Sequence, residues 1–297
     1  MANGGDILCI GSVLWDVIGR SSGAMRLGYD VPGRITRLPG GVAMNIAMGL
    51  ARFGLRAELL TAVGTDAEGD ELIATCTGLG LGTGYVWRDP GLPTDRYLAV
   101  ESPDGLVAAI ADAHSLEAAG ERILTPLEDG RLGSEAAPFS GCVALDGNLT
   151  ETLLGEIAAR PVFAAADLRV APASPGKAKR LRPLIGHPGA TFYVNRDEAG
   201  LILDARFASA AEAAHALVRA GVAQALVTDG GGEAAEGTDG GVVTARPPEV
   251  TIARVTGAGD TFMAAHIAAE VRGLAGRDAL QTALNAAATY VSGSDPA

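Results

Sequence analysis

Six short apolar runs, separated by stretches of helical period, constrain the fold of this chain more than any other feature. They are DILCIGS (6–12), AELLTAVG (57–64), CVALDGN (142–148), PVFAAADL (161–168), TFYVN (191–195) and AQALVTDG (223–230). Each has the length of a strand and is too short to be read as a helix. The segment VAMNIAMGLARFG (42–54) shows the other period: Val42, Ile46, Gly49, Leu50 and Phe53 share one face, and Gly54 stands where a helix would stop. Such alternation predicts an α/β fold, a mostly parallel central sheet covered by helices on both faces.

Two segments break the alternation. Residues 15–41 are rich in Gly and Arg and carry no helical stripe, and 94–112 reads as a hairpin turning at Ser102-Pro103-Asp104-Gly105. Together they predict a small antiparallel sheet, from about 13–40 and 93–113, that would act as a lid or an edge extension. No internal repeat and no long linker divides the 297 residues, so one domain over 1–297 is expected.

Charge and cysteines restrict the partners. The net charge of −12 argues against nonspecific binding to nucleic acid or to an anionic membrane. Only two lysines occur, Lys177 and Lys179, so a polyanion site must rely on arginines, backbone amides and metal. No uninterrupted apolar run reaches the ~20 residues of a membrane span. MANGGDILCIG also lacks the basic start and apolar core of a secretory signal. Cys9, Cys76 and Cys142 are scattered and read as buried thiols, which fits a cytoplasmic protein.

Several predicted strands end in small or polar residues: Gly11, Gly64, Asp146 with Asn148, Asp167, Asn195, and Thr228 with Asp229. Ligands of open α/β sheets bind at the carboxyl ends of strands, so these residues would surround one crevice. Near the C-terminus, VTGAGDTF (255–262) precedes a predicted helix over 260–272 with Met263, Ile267, Val271 and Leu274 along one stripe. Unpartnered amides at that helix start would hold a phosphate without a lysine. Asp260 then reads in two ways: a favoured first-turn or capping acid worth ~1 kcal/mol, or a general base beside the anion, aimed at an attacking hydroxyl. A P-loop is absent, and the glycines of GLGLGTG (78–84) miss the dinucleotide spacing, which leaves a Rossmann oxidoreductase without its fingerprint. The four histidines are isolated, with no zinc spacing.

In combination these stretches resemble the ribokinase-like (PfkB) family of small-molecule kinases along nearly the whole chain. LPGGVAMNIA (38–47) is similar to the family's Gly-Gly…Asn motif, VTGAGDTF to its C-terminal motif, NRDE (195–198) to N-x-x-E, and VGTDAEG (63–69) to G-x-D-x-x-G. The resemblance implies a ribokinase-like three-layer α/β/α sandwich with a β-sheet lid, and ATP and Mg²⁺ as cofactors. It implies Asp260 as catalytic base, with the amides of Gly257, Ala258 and Gly259 as anion hole. Asp16, Gly40, Gly41, Asn45, Thr94 and Asp112 would contact the acceptor. Asn195 and Glu198 would organise Mg²⁺ and the phosphates, Glu198 through water, with Thr228, Gly230, Thr256 and Asn285 along the nucleotide. Many relatives carry Asp two residues before the Thr of the C-terminal motif, often linked to a monovalent-cation site. Arg254 stands there in this chain, which removes the basis for expecting potassium activation.

DGLVAAIAD (104–112), Thr94 to Tyr97, LDGNLT (145–150) and SPGK (174–177) look like the pseudouridine kinase branch, although Ala113 replaces a frequent Met. That branch implies phosphorylation of the 5′-hydroxyl of pseudouridine. The alternatives are a ribokinase-type sugar or other nucleoside kinase, or a non-catalytic ligand-binding relative. Open edges on the lid sheet make a homodimer through it the expected assembly.

Overall fold

Alternate residues of the apolar runs point to opposite faces, and both faces are buried. In the computed structural model, which describes residues 6–26 and 28–294, Leu8 and Ile10 pack into one core and Ile7 and Cys9 into another. Residues 1–5, 27 and 295–297, which the single-domain expectation also covers, lie outside the described residues.

The strands are β1 (Ile7–Ile10), β2 (Leu14–Ser21), β3 (Gly33–Gly40), β4 (Ala57–Leu60), β5 (Ala62–Gly64), β6 (Trp87–Asp89), β7 (Arg96–Ser102), β8 (Gly105–Asp112), β9 (Cys142–Asp146), β10 (Asp167–Ala171), β11 (Ala190–Asn195), β12 (Gln224–Thr228), β13 (Ala234–Thr238) and β14 (Gly241–Ala245). The helices are α1 (Val42–Arg52), α2 (Ala67–Gly78), α3 (His114–Ala119), α4 (Glu151–Ala159), α5 (Arg196–Leu203), α6 (Ala210–Arg219), α7 (Ala258–Val271) and α8 (Gly276–Val291). An eight-stranded sheet runs β14-β13-β12-β11-β10-β9-β1-β4, parallel from β4 to β12 and antiparallel at β13 and β14. Helices α1, α7 and α8 cover one face and α4, α5 and α6 the other, giving the three-layer α/β/α sandwich. A separate sheet, β3-β2-β7-β8, is made from the two segments that broke the alternation, with its hairpin closing at Ser102 and Gly105. It is mixed rather than antiparallel as expected, because β2 and β7, which come from different segments, pair parallel. Among the described residues no helix is long and apolar enough to cross a membrane.

Three further sequence expectations are corrected. PVFAAADL is not a strand: Pro161 opens a single 3₁₀ turn, Pro161–Phe163, and β10 begins only at Asp167. The AELLTAVG run breaks at Thr61, and its second half, β5, pairs with β6 outside the main sheet. The single stripe on α7 is wrong as well. Every residue from Thr261 to Ala269 is buried because the helix is enclosed by α1, α8 and the sheet, while Val271 and Leu274 are exposed. The cysteines are free, with Cys9 and Cys76 buried and burial pushing the Cys76 thiol up to about 11.

The α1–α7 contact matters most for the site. A Cβ placed on Gly49 would stand 2.7 Å from the Cβ of Ala264, so the helices touch backbone to side chain with no spare volume. Gly49→Val is therefore expected to lower stability by about 1–3 kcal/mol through overpacking. Urea denaturation checks this, and an unchanged midpoint would show that the interface is slacker than its geometry.

Candidate active site

The carboxyl ends of β1 and β9 meet at one buried acid. Asp146, with no exposed surface, accepts hydrogen bonds from the Ser12 amide (2.8 Å), the Ser12 hydroxyl (2.5 Å), the Asn148 amide (2.7 Å) and the Asn148 side chain (3.2 Å). The Ala43 amide, in the first turn of α1, points at the same carboxylate at 3.4 Å. Ser12 also receives α1 directly: its hydroxyl accepts from the Val42 amide (3.0 Å) and its carbonyl from the Met44 amide (3.3 Å). Gly41 makes this approach possible. It caps α1 with φ 96°, a conformation L side chains rarely adopt, and its Cα lies against the Ser12 carbonyl.

Helix α1, so anchored, carries Asn45 to the start of α7. The Asn45 side-chain amide donates to Asp260 Oδ2 at 2.9 Å. Asp260 is the third residue of α7, which begins after Gly257 in the left-handed region at φ 87°. The Ala258 amide is spent on the Val255 carbonyl (3.1 Å). Among the described residues no protein group takes the amides of Gly257, Gly259 or Asp260, and nothing lies within 4 Å of a Cβ placed on Gly259. Unspent donors, open space and a helix N-terminus fit an anion at this turn.

Asp260 keeps part of its surface open to the crevice but is packed round by protein. Burial pushes its carboxyl up to about 7, the Asn45 hydrogen bond opposes this, and the charges of Asp146, Asp16 and Glu198 raise it further. Asp16 stands on β2 in register with Leu38 and Tyr97, and burial raises it to about 6. Its carboxylate fills the space where Gly40 would otherwise carry a side chain.

On the far side of the crevice Asn195 and Thr228 are register partners at the ends of β11 and β12, and Gly230 turns the chain just beyond. Asn195 and Glu198 form a capping box: the Glu198 amide donates to Asn195 Oδ1 and the Asn195 amide to Glu198 Oε2, both at 2.8 Å. Burial raises the Glu198 carboxyl. Among the described residues no three His, Cys, Asp or Glu side chains come together as a metal-ligating group. The buried carboxylate of Glu198 beside Asn195 fits an ion held mainly by phosphates and water, which is how Mg²⁺ is commonly bound. Thr256 lies in the turn before α7, and Asn285 is exposed on α8 beside Gln281.

Two residues expected at the acceptor are placed elsewhere. Thr94 is buried and gives both its amide and its hydroxyl to Asp66, the N-cap of α2. Asp112 pairs with His114 and stands opposite Arg96, one row beyond the Asp16–Tyr97–Ala111 row, so strand alternation turns it to the other face. Conversely, Ser12 and Lys177 join the crevice without having been singled out. Lys177 Nζ donates to Asn148 Oδ1 at 2.6 Å, and Asn148 Nδ2 donates to Ser12 Oγ at 2.9 Å. The sequence signal was slight: one hydroxyl after a strand and one of two lysines.

An α/β sheet whose strand ends surround free helix-start amides and a buried carboxylate is equipped to move a phosphoryl group onto a small hydroxyl acceptor. The family comparison agrees. The model for pfkB family carbohydrate kinases matches residues 5–297, and the chain belongs to that family. It is 32% identical over 273 residues to a pseudouridine kinase of Escherichia coli strain K12, covering 87% of this chain and 81% of the other. A carbohydrate kinase from Agrobacterium tumefaciens superposes with a TM-score of 0.79 at 25% identity, over 96% of this chain and 89% of that one. The fold is also shared with Arabidopsis thaliana ribokinase, solved with ribose and ATP. The TM-score there is 0.76 at 21% identity, over 96% of this chain and 92% of that one. The protein is thus a phosphotransferase with a hydroxyl acceptor, of a family that uses ATP and typically Mg²⁺.

A base must be ionised to accept a proton, so for the base role expected of Asp260 the raised carboxyl gives the sign of the pH response. With its pKa at about 7, kcat/KM for the acceptor is expected to rise with pH through neutrality and to level off above it. A rate profile from about pH 5 to about pH 9 checks this. A limb absent down to the acid end would remove Asp260 as the free enzyme's base.

Proposed function

We propose that this kinase phosphorylates the 5′-hydroxyl of pseudouridine with ATP, using Asp260 as general base. The observation that carries the base assignment is the Asn45–Asp260 hydrogen bond beside the unspent amides of α7. Asn45 fixes Oδ2, which leaves Oδ1 to receive the acceptor's hydroxyl proton. Asp16, held on β2 against Gly40, orients the acceptor by its hydroxyls, and Gly41 brings the backbone close. The amides of Gly257 and Gly259 hold the transferring group, with Ala258 aiding only if its bond to Val255 yields. Glu198 and Asn195 orient the phosphate side, together with Thr228, Gly230, Thr256 and Asn285. Bound Mg²⁺ supplies charge neutralisation on the phosphates.

The pseudouridine acceptor is supported by the likeness to the Escherichia coli pseudouridine kinase and by the branch-like segments around Asn148 and Lys177. Mg²⁺-dependent ADP release with pseudouridine, uridine, adenosine and ribose as acceptors tests it. Turnover with pseudouridine and little with uridine is expected; preference for ribose would favour a sugar kinase of the same fold. Asp260→Asn should lower kcat by about 100-fold while ATP and acceptor still bind. Retained turnover would sink the base assignment.

The β3-β2-β7-β8 sheet is read as a lid that also joins two copies of a cytoplasmic homodimer. Its edge strands β3 and β8 are both open, and Ile35, Leu98 and Ile110 leave apolar surface uncovered. Light scattering after size exclusion should give twice the mass of the chain, and Leu98→Glu with Ile110→Lys should give the monomer. A monomeric wild-type protein would rule this assembly out.

A further inference from the structure

The loop that carries the turn before α7 is fastened to the C-terminus of α8, and Arg254 with Tyr290 supplies the side-chain part of the fastening. Arg254 Nε donates to the Tyr290 carbonyl at 2.8 Å, and its Nη2 donates to the Ser294 carbonyl at 3.1 Å. The guanidinium also lies over the Tyr290 ring, 3.7 Å from its centre. A cation is favoured at a helix C-terminus and on an aromatic face, so three electron-rich surfaces hold one charge. The Tyr290 hydroxyl then donates to the Thr256 carbonyl at 3.0 Å, and it stands 2.6 Å from where a Cβ on Gly257 would be. The amides of Ala253 and Arg254 add bonds to the Val291 carbonyl at 2.9 and 3.2 Å.

From this geometry we infer that Arg254 and Tyr290 form a clamp that sets the position of the Gly257–Gly259 amides. The inference rests on the reading of those amides as the anion site. Arg254 spends its guanidinium on the Tyr290 and Ser294 carbonyls and the Tyr290 ring, so it is assigned as a positioning residue acting through Tyr290 and the Thr256 carbonyl. Its effect belongs on kcat, because displaced amides weaken the hold on charge that develops during transfer more than they weaken binding. The clamp also binds the turn to α8, so the two sides of the nucleotide region keep one spacing.

The test compares Arg254→Ala, Arg254→Lys, Tyr290→Phe and Gly257→Val by steady-state ADP release, with melting temperatures alongside. Arg254→Ala is expected to lose about 10- to 100-fold in kcat, the scale seen when reacting groups are displaced by about 1 Å. KM for the acceptor should barely move. Arg254→Lys should fall between, since a point charge cannot span two carbonyls as the fork does. Tyr290→Phe should lose kcat at an unchanged melting temperature. Millimolar methylguanidinium should restore part of the Arg254→Ala rate and none of the Tyr290→Phe rate. Full kcat in Arg254→Ala and Tyr290→Phe, with Gly257→Val inactive, would overturn the clamp while leaving the anion site standing. Full turnover in Gly257→Val would remove the anion reading and the clamp with it. Losses that track the melting temperature and ignore methylguanidinium would reduce the pair to a structural role and overturn the inference.

Discussion

A carboxylate with no exposure to water, Asp146, is the point on which the crevice is built. Burying an ion costs several kcal/mol unless its lone pairs are met by donors. Here the donors come from three places in the chain: the end of β1 at Ser12, the loop after β9 at Asn148, and the start of α1 at Ala43. Satisfying the charge therefore fixes where β1, β9 and α1 stand relative to one another. The start of α1 is a favourable place for a negative charge, so the anchor serves the helix as well. Asn45 inherits its position from this anchor, and Asp260 inherits its hydrogen bond from Asn45.

The same arrangement bears on how a chain of net charge −12 would present the proposed anion site. Asp146, Asp16 and Glu198 all raise the Asp260 carboxyl, and burial raises it more. A raised carboxyl is a better proton acceptor once ionised, so the crowding that costs stability suits Asp260 to the proposed base role. The donors that face the anion are backbone amides, which carry no side chain to be neutralised by these acids. Lys177 adds one positive charge at the rim, held by Asn148, itself bonded to Asp146.

What the sequence made legible follows from how local each feature is. The Asn195–Glu198 capping box and the Gly257–Asp260 turn are each written within a few consecutive residues, and both form there. Of the residues read as strand ends, Asp167 instead begins β10 and Gly64 ends β5 outside the main sheet. The Ser12–Asp146 bond spans 134 positions, and no local pattern announces it. Thr94 and Asp112 stand away from the other expected residues for a related reason: a motif names the residue type but not the face, and in the fold Thr94 bonds Asp66 while Asp112 pairs with His114. The edge pair β13 and β14 went unread because AAEGT and GVVTA mix poor strand formers with glycine. Helix α7 hides its environment altogether, since its alanines fit any face and only tertiary packing decides that all are buried.

That enclosure has a consequence for movement. At its far end α7 is held by Glu270, which pairs with Arg169 on β10, while Arg169 also reaches the Tyr193 hydroxyl that bonds His266. Breaking such a buried network by removing one member leaves charges without partners, so the helix resists displacement. At its near end Asn45 and the Gly49–Ala264 contact leave no room to slide. Asp260 is thus fixed from both ends of its helix and from the side. Under the proposed mechanism the acceptor is therefore brought to Asp260. In the small sheet bearing Asp16, β3 and β8 are largely exposed, while Trp15, Arg37 and Arg96 tie β2, β3 and β7 to Glu68 and Glu71 of α2. On the proposed reading, the acceptor contacts lie in β2 and β3, and the transfer geometry lies in α1 and α7.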